Sequence, residues 1–192
     1  MNTENENKTI ILNNVLDMIL DRNLITKDKY KDYEKLFTSK IQDDEYTVKT
    51  INNKIYNINF LKNIIKKQQI LKIIEDNTKN YILIVMDSKI AKYFKDVKEF
   101  ENVEVFSNFE LLINPTKNIY LSQEHILLNE DEKNQLLKEY DCQLNNLPKI
   151  LSDDPITKYY NAKINDVFKI IRNNPITNKQ IVYRVVDYNT IN

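Results

Sequence analysis

Residues 153–174 read DDPITKYYNAKINDVFKIIRNN, and their punctuation decides how the second half of the chain folds. Asp154 followed by Pro155 is a helix start. An aspartate side chain accepts from the free N–H groups of a first turn, and a proline there gives up an N–H that has no helical partner anyway. The helix so opened is short, because Asn161 breaks it. Asn165 follows, and then Val167-Phe168-Lys169-Ile170-Ile171-Arg172 supplies the β-branched and aromatic residues of a strand. A second run, Ile181-Val182-Tyr183-Arg184-Val185-Val186, lies across the loop Asn173-Asn174-Pro175-Ile176-Thr177-Asn178 and is expected to pair with the first, antiparallel. These strands set Lys169, Arg172 and Arg184 among apolar neighbours. A catalytic site would ask for acids, bases or a nucleophile in such a place; cations on strands suit a binding surface or a solvated sheet edge.

Working outward, Leu147-Pro148-Lys149-Ile150 is an extended segment. Asn129, with Glu132 three residues on, forms a capping box that opens a helix striped by Leu136, Leu137 and Tyr140. A short strand ends at His125-Ile126-Leu127-Leu128. The texture changes near Asn114-Pro115, so the expected organisation is a flexible tail at 1–7, an N-terminal domain at 8–115 and a C-terminal domain at 116–192. Within the N-terminal domain, Ile11, Val15, Met18 and Ile19 recur at helical spacing and predict a helix over 8–22. Thr26 can cap a second helix with Tyr30, Tyr33, Leu36 and Phe37 on one face. YTVKTI (46–51) and KIYNI (54–58) flank Asn52-Asn53 as a hairpin. A helix over 61–74, a buried strand over 81–86, a helix through Ala91 and Phe94, a strand over 103–106 and a helix over 109–112 complete an α/β unit. The class of the whole chain is α+β.

Composition narrows the function. Among 192 residues, 28 Lys and Arg balance 28 Asp and Glu. A protein that binds nucleic acid by itself usually shows a basic excess, because phosphate neutralisation supplies most of the affinity. No apolar run approaches the roughly 20 residues of a membrane span, so no membrane partner is expected. Cys142 has no second cysteine for a disulfide, which fits a reducing compartment, and with His125 as the single histidine no ordinary His/Cys metal site is expected. The chain has no glycine. Together with its wealth of Asn, Lys, Ile and Tyr, that is the mark of an AT-rich genome. Positions needing positive φ must then fall to Asn and Asp, and Asn161, Asn165 and Asn178 are read as such turn residues.

Taken together, ELLIN, EHILLNEDEKNQLLKEYDCQLNNLPKI, DPITKYY, KIIR and IVYRVV, spread over residues 110–186, resemble the C-terminal domain of the fifth common subunit of eukaryotic RNA polymerases. The archaeal RNA polymerase counterpart consists of this domain alone. Family glycines are replaced here by Asp153, Asn161, Asn165 and Asn178. The family's Val-Pro-Glu-His element is Ser122-Gln123-Glu124-His125, and a further histidine upstream is missing. The first 110 residues are similar to the family's jaw domain in element order. The resemblance implies a nuclease-like α/β jaw domain and a small α+β assembly domain. It also implies a non-catalytic subunit of DNA-directed RNA polymerase that docks on the largest subunit and the polymerase core. The jaw would contact downstream duplex DNA weakly, within the complex, and no catalytic, cofactor-binding or metal residues are expected.

On that reading Pro155, Tyr159, Lys169, Arg172, Tyr183 and Arg184 are the docking residues, and Lys62, Lys66 and Lys67 form a DNA-facing helix face, which equally suits a solvated one. His125 is expected to be a partly buried packing residue, and Tyr159-Tyr160 an aromatic anchor rather than a base-stacking pair. A competing reading comes from Asp87-Ser88-Lys89. An acid and a lysine just after a strand are half of a nuclease site, in which carboxylates hold Mg²⁺ and lysine stands near the attacking water. The missing half is a carboxylate on a neighbouring strand, and the 46–58 hairpin has none internally. Localisation is expected to be the nucleus for a cellular protein, or the virion and host cytoplasm for a large DNA virus.

Overall fold

The structure is a computed structural model that describes residues 2–62, 72–74, 76, 78–86, 100–117, 123–174 and 178–188. The chain divides into two compact units, Met1–Ile113 and Asn114–Asn192. Its class is α+β, with one four-stranded sheet in each unit. No helix of the described residues is long and apolar enough to cross a membrane.

In the first unit, helix α1 (Asn2–Asp21) buries Ile11, Leu12, Val15, Leu16, Met18 and Ile19, each at most 1% exposed. The helix starts at Asn2, so the segment expected as a tail is helical. Lys8 gives a reason. Its ammonium donates to Asp44 Oδ1 at 3.0 Å and to the Asp43 carbonyl, and it lies 4.9 Å from the Phe60 ring centroid. These contacts tie the first turns down. Helix α2 (Lys27–Ser39) starts at Thr26, whose hydroxyl accepts from Lys29 N–H at 3.4 Å. Phe37 is its buried residue, whereas Leu36, expected on the same face, is 43% exposed.

Strands β1 (Glu45–Lys49) and β2 (Ile55–Leu61) are antiparallel; β3 (Asn80–Val85) and β4 (Val103–Ser107) then add in parallel, in the order β1-β2-β3-β4. The hairpin differs from the expected two-residue turn. Asn53 N–H donates to Thr50 O, Thr50 N–H donates to Lys54 O, and Asn53 has φ 58°. This is a three-residue loop whose left-handed position, normally glycine, is filled by asparagine. Tyr81 to Val85 are all buried, so both faces of β3 are covered, as is usual for a strand with parallel neighbours. Leu61 ends β2 instead of opening a helix. The rest of that expected helix, over 63–71, lies outside the described residues, as does the helix through Ala91 and Phe94. Helix α3 (Asn108–Leu112) is opened by a capping box between Ser107 and Glu110.

In the second unit, β5 (Gln123–Leu127), β6 (Lys149–Leu151), β7 (Val167–Asn174) and β8 (Asn178–Asp187) form a sheet in the order β5-β7-β8-β6. The β7–β8 pair is therefore central, and the extended segment at Lys149 is an edge strand running parallel to β8. Helix α4 (Glu130–Glu139) starts with the Asn129–Glu132 capping box and buries Leu136. Tyr140, expected in its stripe, is the C-cap residue and is 60% exposed, since the chain turns at Asp141 with φ 47°. Helix α5 (Pro155–Tyr160) is capped by Asp154, which accepts from Ile156 N–H at 2.9 Å, and ends at Asn161 with φ 50°. Asn165 also has positive φ, 72°. Asn178 instead opens β8 opposite Asn174, and Asp153 is not among the positive-φ residues.

Candidate docking surface

Register decides which side chains share a face. Opposed residues of an antiparallel pair point the same way, and neighbours along a strand alternate. Phe168 pairs with Arg184, Ile170 with Val182 and Arg172 with Gln180, while β5 brings Gln123 opposite Arg172 and His125 opposite Ile170. Phe168, Ile170, Arg172, Arg184, Gln123 and His125 therefore lie on one face. Val167, Lys169, Ile171, Tyr183 and Val185 lie on the other. Helix α5 covers the first face with Ile156, over a core of Phe168, Ile170, Ile150 and Val186. Helix α4 covers the second with Leu136, on Val167 and Val185.

Beside α5 the first face opens into a cleft of about 270 Å³. Its apolar lining is Pro115, Ile150, Pro155, Ile156 and Ile170; its polar lining is Gln123, His125, Asp154, Arg172 and Arg184. Arg172 Nε donates to Gln123 Oε1 at 3.2 Å, and an Arg184 terminal nitrogen donates to Lys149 O at 3.1 Å. Arg184 Nε is buried without an acceptor among the described residues. Asp154 is engaged as the α5 cap. No ion pair joins either arginine to a carboxylate among the described residues. His125 Nδ1 lies 2.9 Å from the Gln123 carbonyl, which can only accept, so that nitrogen carries the proton. Burial is the main influence lowering the His125 pKa; the Gln123 hydrogen bond and Asp154 oppose it, and Arg172 and Arg184 add to it. The ring is thus kept neutral near neutral pH, and the cleft holds two guanidinium charges against the one carboxylate of Asp154, whose Oδ1 caps α5.

Residues 113–186 match the family model for RNA polymerase Rpb5, C-terminal domain. The second unit is Rpb5-like over nearly its whole length. A DNA-directed RNA polymerase subunit Rpo5 from Methanothermobacter thermautotrophicus is 47% identical over 38 residues, which are 20% of this chain and 49% of that relative. The chain thus spans about half the length of the curated relative it matches.

The expected docking residues are spread over this Rpb5-like unit rather than gathered. Pro155, Arg172 and Arg184 meet at the cleft. Lys169 and Tyr183 are paired on the opposite face, where Tyr183 also meets the Tyr140 ring edge-on at 5.8 Å. Tyr159 is 4% exposed, its ring 5.3 Å from Tyr160. It is an internal anchor. The reading of residues missed Gln123, Asp154, Ile150 and Ile156 as neighbours of the arginines. The alternation 168, 170, 172 was available, but the partner register was not, because Asn173, Asn174 and Asn178, expected in the loop, extend the two strands. His125 is half-buried and packs edge-on to Phe168 at 6.3 Å, as a packing histidine should, while also lining the cleft.

In the first unit Lys62 donates to Asp44 Oδ1 at 2.8 Å, on the carboxylate that also holds Lys8. Burial works against ionisation of Asp44, but hydrogen bonds and charge from Lys62 and Lys8 outweigh it and lower the pKa. The Lys62 charge is thus partly answered within the chain. Lys66, Lys67, Asp87 and Lys89 lie outside the described residues. Among the described residues, no group of three or more His, Cys, Asp or Glu side chains could hold a metal ion.

Proposed function

We propose that this chain is a non-catalytic subunit of a multisubunit DNA-directed RNA polymerase. Its Rpb5-like unit docks on the largest subunit, and its first unit contributes to the jaw around downstream DNA. Magnesium and nucleotide chemistry belong to the large subunits. The observation that carries the reading is the family match over residues 113–186, joined by a relative whose name is that of a polymerase subunit. The charge balance supports it, since a neutral chain has little nucleic-acid affinity of its own and acts on DNA within a larger assembly. Of the docking residues, Pro155, Arg172 and Arg184 are the group that one partner segment can reach together, with Lys169 and Tyr183 serving a contact on the other face. The chain works where its genome is transcribed, in a nucleus or a viral factory.

The test is native purification of the tagged full chain from its own cell or infected host. Large polymerase subunits should accompany it in stoichiometric amounts. Their absence, with the chain folded and expressed, would sink the reading.

A further inference from the structure

The geometry points to the cleft of the Rpb5-like unit as a carboxylate-binding site that takes an Asp or Glu side chain, with an apolar neighbour, from a partner polypeptide segment. This rests on the docking reading and names the chemistry of that contact. Arg172 and Arg184 stand on one face of the two central strands, over a floor that includes Ile170. Among the described residues each guanidinium is held by a hydrogen bond, from Arg172 Nε to Gln123 and from an Arg184 terminal nitrogen to Lys149 O. Both are thereby oriented in advance, and neither is neutralised by an ion pair among the described residues.

The two guanidinium groups carry the inference. They line one cleft with no carboxylate paired to either among the described residues, and closing a partner over such charges is costly unless an anion accepts from them. Guanidinium geometry suits the two oxygens of a carboxylate. The cleft's own carboxylate, Asp154, has Oδ1 engaged by the Ile156 N–H and forms no ion pair with either arginine among the described residues. The remaining lining is apolar: Pro115, Ile150, Pro155 and Ile156. That half of the cleft favours an aliphatic side chain beside the acid and offers nothing to a sugar–phosphate backbone. A peptide segment fits both halves.

The chain's three arginines make the test direct, because each Nε–H gives its own NMR signal. Arg22 is a built-in control, being clamped on Glu104 at 2.7 and 2.8 Å. The ¹⁵N-labelled full chain is titrated to millimolar concentration with acetyl-Leu-Glu-Leu-amide, with its glutamine twin acetyl-Leu-Gln-Leu-amide, and with inorganic phosphate. The glutamate peptide should move the Arg172 and Arg184 signals saturably and leave Arg22 in place, and the glutamine twin should bind at least roughly tenfold more weakly, a difference of about 1.4 kcal/mol. In Arg184→Gln, whose amide spectrum confirms the fold, the Arg172 response should weaken by a similar factor. No response to the glutamate peptide, an equal response to both peptides, or a stronger response to phosphate would each overturn the assignment. If native purification still brings down large polymerase subunits in those cases, the docking reading stands and only the carboxylate chemistry falls.

Discussion

A single histidine in the cleft of the Rpb5-like unit makes a residue-scale claim that pH can read. Burial lowers the pKa of His125 in the folded chain, whereas the unfolded chain titrates near the ordinary 6.5. Well above that value both states are neutral and the residue adds nothing to pH dependence. As pH falls through it, the unfolded state binds the proton first, so folding stability declines until the native ring is protonated too. Asp154 favours the charged ring and Arg172 and Arg184 oppose it, so the sign follows from burial with the arginines behind it. Between about pH 7.5 and about pH 5.5, wild type should lose more unfolding free energy than His125→Gln, both measured by denaturant titration. Equal losses would mean that the ring titrates as it does in water. The asparagines teach a related lesson at this scale. Without glycine, the left-handed positions had to fall on small polar residues, which made Asn161 and Asn165 readable. The rule says which residues tolerate such backbone, not which of them adopt it. Asn23 and Asp141 take positive φ with no local signal to single them out, and Asn178 joins a strand.

Among elements, β4 is tied to the end of α1 by a salt bridge. Its Glu104 accepts two hydrogen bonds from Arg22, just beyond the last turn of α1, with side-chain exposures of 12% and 6%. Removing one partner takes this pairing away from a largely buried charge. Glu104→Leu and Arg22→Met should therefore each cost about 3 kcal/mol or more. The double change Arg22→Met with Glu104→Leu should fall short of the sum by about 2 kcal/mol, since no orphan charge remains. Additive losses in chemical denaturation would show that the pair is not coupled. Nothing in local sequence announces this pairing, because the partners are 82 positions apart. Elements themselves were legible wherever caps and periodicity agreed: Thr26, Asn129 and Asp154 all open helices as read. Faces were less so. Tyr140 and Leu36 extend an apolar stripe by spacing yet stay exposed, because a stripe is buried only where another layer reaches it. The docking set shows the same limit. Lys169 and Arg172 are three apart on a strand and must face opposite ways, while Arg172 and Arg184 share a face only through a register that the loop sets.

At the scale of the whole molecule, the second unit holds what a small domain needs for independent folding. Its sheet is covered on both faces, by α5 over Phe168 and Ile170 and by α4 over Val167 and Val185. Its helices carry their own caps, and its edge strand β6 is held by an in-register parallel match to β8. The Rpo5 relative supports this from outside: 38 residues are 49% of it, so that protein is no longer than this unit. A domain of this size buries a smaller share of its surface than a large one, and its stability should be modest, about 4–8 kcal/mol. Residues 114–192 expressed alone should unfold in one cooperative thermal transition and give a dispersed amide NMR spectrum. The cleft arginines would then be accessible to the same peptide titration in the shorter chain. A collapsed spectrum, or melting without a transition, would show that Phe168, Leu136 and their neighbours do not make a self-sufficient core, and that the unit depends on residues before 114 for its fold.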